Sequence, residues 1–123
     1  MVATVTTAGN TDIRTYLKNT WRYVALQTPI GDEITRIDVV DDDRASWASG
    51  SENPLTATIT VKGKQDDIVP SDATGPTDIA ATASYRTATG GSQLCVDTDT
   101  AVTIEADNDT TVITHRIWYP TNE

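Results

Sequence analysis

From Leu55 to Lys62 the chain alternates strictly between apolar residues and threonine or lysine. A period of two puts Leu55, Ala57, Ile59 and Val61 on one face and Thr56, Thr58, Thr60 and Lys62 on the other, the pattern of a half-buried strand. Residues 111–119 repeat it, with Ile113, His115, Ile117 and Tyr119 opposed to Val112, Thr114, Arg116 and Trp118. Further strands are predicted over 21–27, 34–40, 79–86, 94–97 and 102–106, rich in β-branched and aromatic residues. In the segment 79–86, Ile79, Ala81, Ala83 and Tyr85 are expected to share one buried face. One stretch has a helical period instead: Ile13, Tyr16 and Leu17 fall at i, i+3 and i+4. Asn10 or Thr11 is the expected cap and Asp12 the first-turn acid, predicting a short helix at about 11–19. Turn chemistry at Pro29-Ile30-Gly31-Asp32, Gly50-Ser51-Glu52-Asn53-Pro54, Gly75-Pro76, Thr89-Gly90-Gly91 and Asp107-Asn108-Asp109 separates the strands. The spacing predicts a mainly β chain, an antiparallel β-sandwich or small barrel with one short N-terminal helix. It reads as a single domain over residues 1–123, with its longest loop at 66–76.

Charge narrows the functional classes. Eighteen acidic side chains stand against 9 basic ones, for a net charge of -9 and a pI of about 4.3. Lysine occurs only at Lys18, Lys62 and Lys64, Asp far exceeds Glu, and Phe is absent. This combination resembles proteins of extremely halophilic archaea and their viruses, in which salt screens a dense layer of short carboxylates. With no basic patch, nucleic acid is not an expected partner, and an acidic surface is equally unsuited to anionic lipid. The opening residues, Met1-Val2-Ala3-Thr4-Val5, lack the basic and apolar runs of a signal peptide, so none is expected.

Candidate chemistry is sparse. The lone Cys95 sits in an apolar run and reads as a small buried hydrophobe. His115 is the only histidine, too few for a triad or a transition-metal site. No catalytic residue and no cofactor is therefore expected, and no Gly-rich phosphate loop occurs. Asp41, Asp42, Asp43, Asp107 and Asp109 are the weak candidates for a cation site, since oxygen-rich loops suit Ca²⁺ or Mg²⁺. They lack the spaced ligand ladder of such loops, and a solvated acidic surface is the expected role. Asn108-Asp109-Thr110 matches a glycosylation sequon, read as a chance match. Trp21, Trp47 and Trp118 are the interface candidates: aromatic side chains either fill a core, anchor a subunit contact, or stack on sugars.

The first third carries a resemblance. Thr7-Ala8-Gly9 precedes Ile13-Arg14-Thr15-Tyr16-Leu17, then Tyr23-Val24-Ala25-Leu26-Gln27-Thr28 and Glu33-Ile34-Thr35-Arg36. This order resembles a family of tail-fibre and baseplate-associated proteins of tailed viruses, with Gln27 standing where that family usually has Gly. Ser84-Tyr85-Arg86 through Gly90-Gly91 follows the family's later half loosely. The resemblance, joined to the composition, implies a non-enzymatic virion structural protein of a haloarchaeal tailed virus, assembled in the host cytoplasm. Its implied partners are copies of itself and other virion proteins. A capsid decoration or vertex turret protein is the runner-up, and a module binding a host surface glycan is the reading from a different class.

Overall fold

In a computed structural model the chain is described over residues 5–49, 54–63, 77–98, 101–104 and 110–119. The mainly β, antiparallel character and the N-terminal helix expected from the sequence are present. The elements run α1 (Thr7–Thr20), β1 (Tyr23–Gln27), β2 (Glu33–Asp38), β3 (Ala45–Trp47), β4 (Leu55–Lys62), β5 (Thr77–Ile79), β6 (Ala81–Tyr85), β7 (Cys95–Asp97), β8 (Val102–Ile104) and β9 (Thr110–Ile117). They form a four-stranded sheet in the order β2-β1-β6-β7, a three-stranded sheet β3-β4-β9 and a β5-β8 pair. None of these sheets closes on itself.

Helix α1 begins a full turn before the expected start. Thr6, rather than Asn10 or Thr11, is the cap: its hydroxyl accepts from the backbone N–H of Gly9 at 3.0 Å. Asp12 consequently lies beyond the first turn. Leu17 is buried, and it packs with Ile13 and Trp21 against Leu55, Ile117 and Tyr119. Arg14 is buried too, its guanidinium 3.5 Å from the Tyr119 hydroxyl, which in turn donates to Asn10 at 2.7 Å. The helix is docked by two apolar residues and one polar relay.

The period-two readings of β4 and β9 hold. Leu55, Ala57, Ile59 and Val61 are fully buried, and β9 buries Ile113, His115 and Ile117. The two strands pair along their whole length, from Leu55↔Ile117 to Lys62↔Thr110. The larger apolar cluster draws on β1 (Val24, Leu26), β2 (Ile37), β4, β5 (Ile79), β8 (Ile104) and β9 (Ile113), so all three sheets share one interior.

Two expectations are corrected. The strand expected over 79–86 is two strands: Ala80 interrupts it by donating its N–H to Gln27, and the chain changes sheet there. Nor is its buried side single, because Thr82 and Ser84 are as buried as Ala81, Ala83 and Tyr85. Strand β3 had no counterpart in the sequence reading, three residues being too short to display a period. The turn expected at Thr89-Gly90-Gly91 is built on positive φ, 64° and 80°, and a Cβ at Gly91 would meet the Thr87 hydroxyl at 2.8 Å.

Because Ile59 is enclosed and Thr60 on the same strand is exposed, Ile59→Ala should cost about 2–5 kcal/mol while Thr60→Ala changes stability little. Urea denaturation of both variants measures this, and equal losses would contradict the one-sided burial of β4.

Candidate assembly surface

Strand β9 organises the surface because its two faces meet different surroundings. Inward, His115 is fully buried, and its Nδ1 shares a 2.7 Å hydrogen bond with the hydroxyl of Thr82 on β6. Its buried Nε2 has no hydrogen-bond partner among the described residues. Burial disfavours the imidazolium and, with a smaller push from Arg116, outweighs the pull of the Asp97 carboxylate, leaving His115 at about 4. The ring is neutral at ordinary pH and serves as a polar strut between two sheets.

The next residue makes a second bridge. Asp97 of β7 is the cross-strand partner of Thr82, and its carboxylate accepts from Arg116 three times: from the backbone N–H and Nε at 3.0 Å each, and from Nη2 at 3.1 Å. The Asp97 side chain is only 7% exposed. Thr82 and Asp97, paired on one sheet, thus hold His115 and Arg116, adjacent on the other. Beside this bridge lies a groove of about 330 Å³ lined by Cys95, Val96, Asp97, Thr98, Arg116 and Trp118. Cys95 is half-buried, as its apolar run suggested in part, with its sulfur 3.8 Å from the Arg116 carbonyl. Burial and then the nearby Asp97 charge push its thiol upward, so the reactive thiolate is disfavoured.

The three tryptophans are not brought together. Trp21 packs in the cluster under α1, and Trp47 touches both that cluster and the main one. Each has a buried indole N–H with no hydrogen-bond acceptor among the described residues. Trp118 instead stands 69% exposed on the groove rim, with Val96 (47%) on β7 and Val112 (57%) further along β9. Of the sequence candidates, Trp118 alone is available for contact. Its exposure follows from alternation, since it falls in phase with Val112, Thr114 and Arg116.

The acidic candidates separate as well. Asp41, Asp42 and Asp43, joined by Asp38, which the sequence reading had not singled out, line an open hollow of about 600 Å³ between β2 and β3. Arginines occupy most of that charge. Arg22 grips Asp38 through two bonds of 2.8 and 2.6 Å and reaches Asp41 at 2.9 Å. Arg44 grips Asp42 at 2.6 Å. These hydrogen bonds hold the carboxyls of Asp38 and Asp42 below the ordinary carboxylate range. Among the described residues no group of three or more His, Cys, Asp or Glu side chains is placed to hold a metal ion. Asp107, Asp109 and most of the sequon lie outside the described residues. No described helix is long and apolar enough to cross a membrane.

The motifs that carry the resemblance turn out to be packing devices. Arg14 and Leu17 dock α1, and Leu26 is core. Arg36 pairs with Glu33 at 2.6 Å, lies 3.6 Å over the Tyr85 ring, and donates to the carbonyls of Thr87 and Gly90. It pins the Gly90-Gly91 turn to β2. Searches against known protein families, characterised proteins and solved structures return no match to this chain.

Two predictions follow from the bridge. Asp97→Ala removes the acceptor of three Arg116 donors and should cost about 2 kcal/mol, measured by denaturant melts. For His115, the unfolded chain takes up a proton near 6.5 and the folded one only near 4. Its neutral burial is therefore compatible with full stability above pH 6.5, and acidification to pH 4 should remove about 3 kcal/mol. His115→Gln can still bond Thr82 but does not titrate. The stability difference between wild type and this variant should shift by that amount between pH 7 and pH 4; a constant difference would contradict the neutral buried imidazole.

Proposed function

We propose that the chain is a non-enzymatic structural subunit, built to pack against copies of itself and neighbouring proteins in the virion of a haloarchaeal tailed virus. The observation that carries this reading is the distribution of side chains. The chemically capable groups, His115 and Cys95, are sequestered or held in their unreactive forms, while Trp118, Val96 and Val112 are presented outward. An exposed aromatic beside aliphatics is the usual anchor of a protein contact. A glycan platform is less well supported, because Trp21 and Trp47 are drawn into the interior and leave no row of rings on which sugars could stack.

The finer architecture belongs to the same proposal. The four-stranded and three-stranded sheets pack as the two layers of a small antiparallel sandwich, supported by their shared interior and by the two polar bridges. The tail or baseplate region, suggested by the resemblance of the first third, is the preferred location, with a capsid decoration or turret as the second.

A chain at -9 that associates with its own copies does so against like-charge repulsion. The screening length is about 3 Å at 1 M salt and about 10 Å at 0.1 M. Self-association should therefore be strong in molar KCl and weaken as salt is withdrawn. Sedimentation across a KCl series, with circular dichroism on the same samples, measures it. A monomer at every salt and protein concentration would overturn the self-assembly reading.

A further inference from the structure

We infer that a second copy of this chain docks on the outer face of the three-stranded sheet. The inference rests on the self-assembly reading and adds the surface to it. Strands β3, β4 and β9 contain no Asp or Glu, although the chain carries 18. The described acids lie elsewhere: Asp12 on α1, Asp32 in the β1–β2 turn, Glu33 and Asp38 at the two ends of β2, Asp41 to Asp43 between β2 and β3, Asp78 on β5 and Asp97 on β7. The outward side chains of the sheet are Ser46, Thr56, Thr58, Thr60, Val112 and Thr114, with Lys62 and Arg116 at opposite ends. Arg116 is already neutralised by Asp97.

Charge selects the occupant. On a molecule this acidic, most surface patches that meet their own image bring carboxylates together, and each such pair costs free energy and specificity. Among the described residues, the strands of the β3-β4-β9 face bring no carboxylate to their own image. It is also the face to which Val112 and, just beyond the strand, Trp118 contribute exposed apolar area. Threonine and serine add short side chains that lose little rotamer entropy on contact. Two-fold pairing of like patches is the commonest form of self-association, and a three-stranded face is small enough that one such contact is weak alone and gains from repetition in an assembly.

The test places a charge on the face without disturbing the interior. Thr114→Asp and Val112→Asp, both at exposed positions, should weaken self-association about tenfold or more in molar KCl, read by sedimentation at several protein concentrations. Thr114→Asn, of the same shape but neutral, should keep the wild-type constant. Ile30→Asp, at the exposed β1–β2 turn, should also keep it. Circular dichroism and urea melts on each variant separate loss of contact from loss of fold. If wild type associates and the two face variants associate equally well, the assigned face is wrong while self-assembly stands. If wild type is monomeric throughout, both fail.

Discussion

Strand β9 can sit in only one register because two of its neighbouring residues are gripped by two paired residues of another sheet. His115 must point inward to reach Thr82, and Arg116 must point toward the edge to reach Asp97. A slip of one residue against β4 would exchange them, placing a guanidinium in the interior and an imidazole on the surface. A slip of β7 against β6 would likewise turn Asp97 away from Arg116. Apolar alternation specifies each strand's buried face, but Ile, Val and Leu tolerate sliding past one another. The polar bridges do not, because their bonds exist in one alignment only. The cost is visible in the buried His115 Nε2, which has no hydrogen-bond partner among the described residues.

Around this centre, the arginines act as local fasteners. Arg14 joins the helix to Tyr119, Arg22 closes the β2–β3 corner on Asp38 and Asp41, and Arg36 holds the glycine turn against Tyr85. Planar forks with several donors suit this work better than lysine's single ammonium. In a chain with twice as many acids as bases, Arg22, Arg36, Arg44 and Arg116 are each committed to a specific carboxylate.

What could be read from the sequence was whatever repeats. The eight-residue alternation of β4 and its echo in β9 gave correct faces, and the Ile13, Tyr16, Leu17 spacing located the helix. What could not be read depended on contacts distant in the chain. Thr82 and Ser84 look like a solvent face, yet both are fully buried, Thr82 against His115 of β9. The helix start was misplaced because Asn10 and Thr11 are as fit for capping by residue type as Thr6, and only the fold shows that the Thr6 hydroxyl takes the Gly9 N–H. Ala80 gave no sign of a break, since the interruption is made by Gln27. Trp21, Trp47 and Trp118 are identical in type, and only the three-dimensional arrangement separates two core fillers from one exposed ring. Of the acidic cluster, the sequence displayed the run Asp41 to Asp43 but not the arginines that meet it.

The backbone N–H of Arg116, directed away from β4 and satisfied by Asp97, bears on how the molecule avoids uncontrolled growth. Any sheet that ends in an eight-residue strand offers a template on which foreign strands can be laid down, the route by which ordered proteins become fibrils. Here the side chain of one sheet occupies the hydrogen-bonding group that an incoming strand would need from the other, and the charged fork beside it obstructs the approach. Backbone pairing on the β9 edge is blocked at that rung.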